Sequence, residues 1–213
     1  MAKIALIGAT GFVGSAILKE AAARRHVVTA LVRHPETVEK LDNVTAVQAD
    51  VSDTDALARL LAGHDIVISA YNPGWSDPNI RENHIRGSRS ITEATRKADI
   101  GRLIAVGGAG SLSINGRQLV DSPDFPAEWK EGALGAREAL NALRNENDLD
   151  WTFVSPAILL QPGERTGKYR LGTDEPVFDD KGESKISVAD LAAAIVDEAE
   201  QGKHIRKRFT VAY

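Results

Sequence analysis

Short apolar runs rich in Val, Ile and Ala recur along the chain at 2–7, 27–32, 44–48, 66–71, 103–107 and 152–155. Each has the length of a strand, and together they read as strands buried in a parallel sheet. Between them the apolar positions change to helical spacing: Val13, Ile17 and Ala21; Ala56, Leu57, Leu60 and Leu61; Ile80, Gly87, Ile91, Ala94 and Ala98; Ala136, Leu140 and Leu143. Strand and helix alternate, which predicts right-handed βαβ units and an α/β fold with a doubly wound parallel sheet.

Local punctuation agrees with these boundaries. Asp53 precedes the Ala56–Leu61 stretch as an N-cap, Gly63 closes that helix, and Gly101 separates the helix near Ala98 from the next strand. After Ser155 the pattern changes: QPGERTGKYRLGTDEPVFDDKGESKIS is rich in turn residues, with strand-like pieces around Tyr169 and Val177. Residues 156–186 are therefore expected to form a small substrate-side lobe over the sheet. A last helix carries Val188, Leu191, Ile195 and Ala199 on one face, and RFTVAY supplies a final strand. With no repeat or low-complexity linker, 1–213 reads as a single domain.

Composition narrows the choices. The formal net charge is −4 without a basic block, so nucleic acid is not an expected partner. No apolar run reaches the roughly 18 residues that cross a bilayer, and the start lacks a signal-peptide layout, so no membrane partner and a cytoplasmic location are expected. With no cysteine, disulfides, zinc–thiolate sites and cysteine nucleophiles are excluded. The histidines at 26, 34, 64, 84 and 204 share no metal-ligand spacing, and no metal is implied. His26 and His64 read as turn residues and His84 as a surface position. The run Asp179, Asp180 and Glu183 reads as a solvated turn, and no Gly-x-Ser-x-Gly elbow marks a hydrolase.

One motif carries chemistry at once. GATGFVG follows the first predicted strand and opens the first helix, the context of a dinucleotide fingerprint. Gly8 permits the tight turn, Gly11 removes a Cβ that would block a pyrophosphate, and Gly14 lets the helix pack closely. Backbone N–H groups along Thr10, Phe12 and Val13 then face the anion. The spacing is Gly-x-x-Gly-x-x-Gly, the same turn built with one extra residue. At the tip of the second strand, ALVRHP offers Arg33 and no carboxylate. A guanidinium there can pair with a 2′-phosphate, which favours NADP(H) over NAD(H). Asp50 in QADVSD is placed to accept from an adenine amino group, with Val51 against the ring. A solvated Arg33 and a helix-capping Asp50 are the plain alternatives.

Read in order, GATGFVG, LVRHP, QADV, VISAY and VGGAGSL resemble the atypical short-chain dehydrogenase/reductase superfamily, in its NmrA-like, NAD(P)H-binding branch. SPDFPAEWKEGALGAREAL, LDWTFVSPA and PGERTGKYRLG resemble the group named NADH-flavin reductases, related in layout to biliverdin reductase B. The resemblance covers nearly the whole chain. It implies a Rossmann-type fold, with Ala70, Tyr71, Gly107 and Gly108 at the cofactor and Pro156, Ala157 and Ile158 at the nicotinamide end. The superfamily's catalytic members carry a Tyr-x-x-x-Lys pair on the helix before the sixth strand. Here Gly132 and Ala136 register at those places, so the dyad is missing.

A missing acid argues against ordinary alcohol–ketone chemistry, because a developing alkoxide needs a proton. A flavin takes hydride at a ring nitrogen and spreads the charge, so FMN or FAD as substrate is compatible with the loss. The loops after strands four to six line the expected cleft. Of three Trp, three Tyr and five Phe, four residues lie in two of these loops: Tyr71, Trp75, Phe125 and Trp129, suited to stacking a flat heterocycle. Ser111 follows strand five, where the resemblance implies the superfamily's catalytic serine or threonine, and is the expected polar contact to the reacting ring or carbonyl, with a loop cap as the plain alternative. The expected function is an NADPH-dependent reductase acting on a flavin or similar planar small molecule, as a monomer or homodimer. The alternative is an NmrA-like regulatory protein that senses NADP(H) without turnover.

Overall fold

The computed structural model describes residues 1–213. Its elements run β1 (Lys3–Ile7), α1 (Phe12–Ala23), β2 (Val27–Val32), β3 (Val44–Gln48), α2 (Thr54–Leu61), β4 (Ile66–Ser69), α3 (Ile80–Lys97) and β5 (Arg102–Val106). They continue with β6 (Ser113–Ile114), β7 (Arg117–Gln118), α4 (Ala127–Arg144), β8 (Asp150–Pro156), β9 (Leu159–Gln161), β10 (Arg170–Gly172), β11 (Lys185–Ser187), α5 (Val188–Gln201) and β12 (Lys207–Ala212). The main sheet has the order β10-β12-β8-β5-β4-β1-β2-β3, and all its pairings are parallel except β10 with β12. This is the doubly wound Rossmann-type arrangement. Strand order reverses between β1 and β4, so the crevice that takes a ligand in such sheets opens at their carboxyl ends.

Alternation along β1 builds both layers. Ile4 and Leu6 join Ile17 and Leu18 of α1 and Leu191 and Ile195 of α5, while Ala5 and Ile7 join Leu57 of α2, Ile91 of α3 and Leu140 of α4. Asp53 caps α2 as the sequence predicts, its carboxylate accepting from the Ala56 N–H at 2.9 Å. One strand is shorter than its apolar run: β4 stops at Ser69, and Tyr71 leaves the sheet.

Residues 156–186 use their short strands in two ways. β9 and β11 pair in parallel as a two-stranded sheet, and β10 adds an antiparallel strand to the edge of the main sheet. The piece around Val177 is not a strand; its side chain packs over Gly172, where a Cβ would lie 2.7 Å from Val177 Cγ2. Asp190, fully buried at the start of α5, ties this region down by accepting from Thr166, Gly167 and Tyr213. At the opposite, amino-terminal edge of the sheet, buried Glu198 takes Arg102 at 2.7 Å, Thr152 and His204. That closed set of partners is what makes a charge tolerable in the interior.

Candidate functional site

The β1–α1 turn is fixed by backbone contacts alone. Gly8 has φ +79° and its Cβ would stand 2.6 Å from the Ala70 carbonyl oxygen, so no other residue fits. A Cβ on Gly14 would lie 2.0 Å from the Gly8 oxygen, which explains the close approach of helix to turn. Gly11 differs: its Cβ would meet only the Gly8 oxygen at 3.4 Å, so the protein's own packing does not demand glycine there. No side chain caps α1, whose N-cap is Gly11, and the helix leaves its first N–H groups for an anion. An uncapped helix start bare of Cβ at Gly11 fits the pyrophosphate of a dinucleotide.

A groove of about 460 Å³ runs from this turn across the crevice. Gly8, Thr10, Gly11, Arg33, Asp50, Val51, Ala70 and Tyr71 line it together. Phe12 stands 51% exposed at the first helical position, outside the lining, and Val13 and Gly14 lie behind the turn. Asp50 does not cap α2, since Asp53 does. Its Oδ1 accepts from both the backbone N–H and the hydroxyl of Ser52 at 2.8 Å, which leaves Oδ2 for a ligand. Those two hydrogen bonds, with a smaller contribution from the Arg33 charge, hold the Asp50 carboxyl below its ordinary value.

Among the groove residues that the sequence-based reading did not single out are Asp77, Asn83 and Arg86. They form a chain in which Asn83 donates to Asp77 at 2.7 Å and Arg86 donates to Asn83 at 2.8 Å. The signal for Asn83 was present, because it is four residues before Gly87, already on the inward stripe of α3. Arg86 adds a second guanidinium to the wall that carries Arg33.

Tyr71 separates this groove from a second cavity of about 570 Å³ between α3 and α4, and is the one residue that lines both. Its ring lies on Gly87, where a Cβ would be 2.3 Å from Cε1, and its hydroxyl donates to the Asn83 carbonyl at 3.1 Å. Burial pushes the phenol upward, against the pull of Arg86 and Arg33. His84 corrects the surface assignment: it is 5% exposed and tilted against the Tyr71 ring at 6.0 Å. Burial takes its pKa down to about 4, so the imidazole is neutral near pH 7. His26 and His64 stand just after turns and just before β2 and β4, and each is bonded at both ring nitrogens.

The remaining expected residues divide. Gly107 and Gly108 follow β5, Pro156 ends β8, and Ala157 and Ile158 follow it, all beyond the lining of the groove. Ala157 is buried in the core, and Ile158 is 47% exposed. Ser111 is only 3% exposed, and its Oγ accepts from Arg208 of β12 at 3.0 Å. Arg208 in turn pairs with Asp174. Ser111 thus belongs to a polar link from the 109–111 turn through Arg208 to Asp174, in which its oxygen accepts. Phe125 packs at Gly110, where a Cβ would be 3.7 Å from its Cζ. Trp75, in the β4–α3 loop, and Trp129, in the first turn of α4, are 62% and 51% exposed, and neither lines the groove.

With this geometry in view, a family pattern described as NAD(P)H-binding matches residues 8–201. The chain belongs to this NAD(P)H-binding family. The uncharacterized protein YwnB of Bacillus subtilis (strain 168) is 38% identical over 213 residues, covering 98% of this chain and 97% of YwnB. Among solved structures, a protein from Streptococcus pneumoniae TIGR4 named a "putative NADH-flavin reductase" is 38% identical, covers 100% and 99% of the two chains, and superposes with a TM-score of 0.89. A "putative epimerase" from Bacteroides thetaiotaomicron is 45% identical with a TM-score of 0.93, covering 100% and 97%. A "putative exported protein" from Burkholderia pseudomallei is 47% identical with a TM-score of 0.90 over 100% of each chain. The fold is thus that of NAD(P)H-binding oxidoreductases. No helix is long and apolar enough to cross a membrane, and no group of three or more His, Asp or Glu side chains gathers as a metal site.

Proposed function

We propose that the protein is an NADPH-dependent reductase whose acceptor is FMN, FAD or a similar planar molecule. The observation that carries this is a groove at the glycine turn that holds both Arg33 and Arg86 and is walled by the start of the β4–α3 loop, the same loop that carries the exposed Trp75 beyond its lining. In this reading the α1 N–H groups hold the pyrophosphate, Val51 and Asp50 hold adenine, and Arg33 pairs with the 2′-phosphate. Gly107, Gly108 and Pro156–Ile158 stand at the nicotinamide end, and 156–186 contributes the substrate side of one dinucleotide-binding domain.

The bound cofactor supplies a hydride, so NADPH becomes NADP⁺ while the acceptor gains one hydrogen and two electrons. What the chain adds is position and charge. No Tyr in the sequence has Lys four residues later, and the Ser111 hydroxyl, whose oxygen accepts from Arg208, is buried and too weakly acidic to be a proton source unaided. An acceptor that delocalises its new negative charge and takes its proton from water needs neither. A cytoplasmic place of work fits the cysteine-free composition.

The test is to titrate NADPH and NADH separately, then follow absorbance of the reduced nicotinamide with FMN, FAD and a quinone as acceptors. NADPH oxidation dependent on a flat acceptor is expected. Tight NADPH binding with no acceptor-dependent oxidation refutes the reductase and leaves an NmrA-like sensor of NADP(H).

A further inference from the structure

We infer that Gly132 of α4 is a seat for the Trp75 indole, and that this seated ring is the platform on which the acceptor stacks. The inference rests on the reductase reading and adds the residue pair that selects its substrate. Trp75 lies in the loop between β4 and α3, and Gly132 lies 57 residues later on the neighbouring helix. A Cβ on Gly132 would stand 2.7 Å from Trp75 Cζ3, 3.3 Å from Cη2 and 3.1 Å from Ile80 Cδ1. The edge of the six-membered ring is therefore pressed onto bare helix backbone.

The rest of the indole is free, since Trp75 is 62% exposed. An apolar ring anchored at one edge and open over its surface is what a stacking partner needs. The loop around it is braced. The Asn72 side chain accepts from Gly74 N–H at 2.8 Å, the Gly74 carbonyl from Asp77 N–H at 3.1 Å, and the Asp77 carboxylate from Asn79 and Asn83. Asn83 also holds Arg86 and the Tyr71 hydroxyl in the cofactor groove. The platform and the nucleotide site thus share a frame. Trp129, one turn before Gly132 on the same helical face, is 51% exposed and extends the apolar rim.

Gly132 is also the position that registers with the superfamily's tyrosine. Where an acid would stand to protonate a small carbonyl, this chain has a flat surface. The acceptor it selects is a fused, planar ring system recognised by its face, and a small aliphatic carbonyl gains nothing from the site.

The experiment measures binding of FMN to the NADP⁺-saturated protein by calorimetry, with NADPH binding and thermal melting in parallel, for the parent chain, Trp75→Ala, Trp75→Phe and Gly132→Ala. Trp75→Ala should weaken FMN about tenfold, with NADPH affinity unchanged within about twofold, and Trp75→Phe should recover part of the loss. Gly132→Ala should match Trp75→Ala in FMN affinity while melting no lower than the parent, because alanine is the better helix former and the exposed indole can move away. Full FMN affinity in Trp75→Ala, or no FMN binding by the parent, overturns the inference. Trp75-dependent FMN binding without NADPH oxidation upholds the platform and refutes the reductase. Oxidation with FMN that Trp75→Ala leaves unchanged does the reverse.

Discussion

Replacing Arg33 with Ala tests the cofactor assignment where charge decides it. Arg33 is exposed and lines the groove beside Asp50. A unit charge pair about 4 Å apart in water is worth about 1 kcal/mol, so a 2′-phosphate of nearly two charges gains about 2 kcal/mol from one guanidinium. Asp50 then stands unopposed in the variant and repels the same phosphate, while Arg86 still attracts it from α3. The balance remains near 2 kcal/mol, roughly thirtyfold in NADPH affinity, and NADH, lacking the phosphate, should change less than about threefold. Both are measured by fluorescence titration at about 0.05 M and about 0.5 M salt, and the difference should shrink in the second because the screening length falls well below 10 Å. An NADPH to NADH ratio within about twofold of the parent at low salt refutes a 2′-phosphate at Arg33.

Other outcomes follow from contacts already described. Gly14→Ala should lower the melting temperature and abolish NADPH binding, because the new Cβ meets the Gly8 carbonyl at 2.0 Å and backbone cannot swing aside; Gly11→Ala should melt like the parent yet bind NADPH at least about tenfold more weakly, and equal affinities would remove the pyrophosphate from that turn. His84, with its pKa lowered to about 4, binds its proton more weakly folded than unfolded. Stability is therefore full above pH 6.5 and falls as pH drops, by about 2 kcal/mol at pH 5; urea midpoints should show this slope in the parent and lose it in His84→Asn. Glu198→Ala strands Arg102 in the interior and should cost about 3–5 kcal/mol, near 10 °C in a chain of this size, with NADPH affinity intact because the pair lies at the far edge of the sheet; a drop under about 2 °C would contradict it.

What sequence reading captured was local. The β1–α1 turn, the Asp53 cap and the strand ends bearing Arg33 and Asp50 depend on residues a few positions apart, whose spacing and chemistry suffice. Ser111 shows the limit: its place after β5 was legible, but its burial and its contact with Arg208, 97 residues later, were not. His84 read as surface because nothing in α3 reveals that Tyr71 and Gly135 cover it; a Cβ on Gly135 would lie 2.9 Å from His84 Cβ. Arg86 and the contact of Trp75 with Gly132 likewise exist only once the helices are packed side by side.

The glycine turn bears on how binding is timed and what it costs. Its shape is held by Gly8 N–H to the Leu31 carbonyl, Gly11 N–H to the Gly8 carbonyl, and the pressure of Ala70 and Gly14 backbone, with no side chain involved. A turn so held has little freedom to surrender when a dinucleotide arrives, so in the proposed binding mode the entropic loss falls on the ligand and on the long side chains of Arg33 and Arg86. Arrival should then proceed at similar rates for both nicotinamide cofactors, and discrimination between them should lie in how long each one stays.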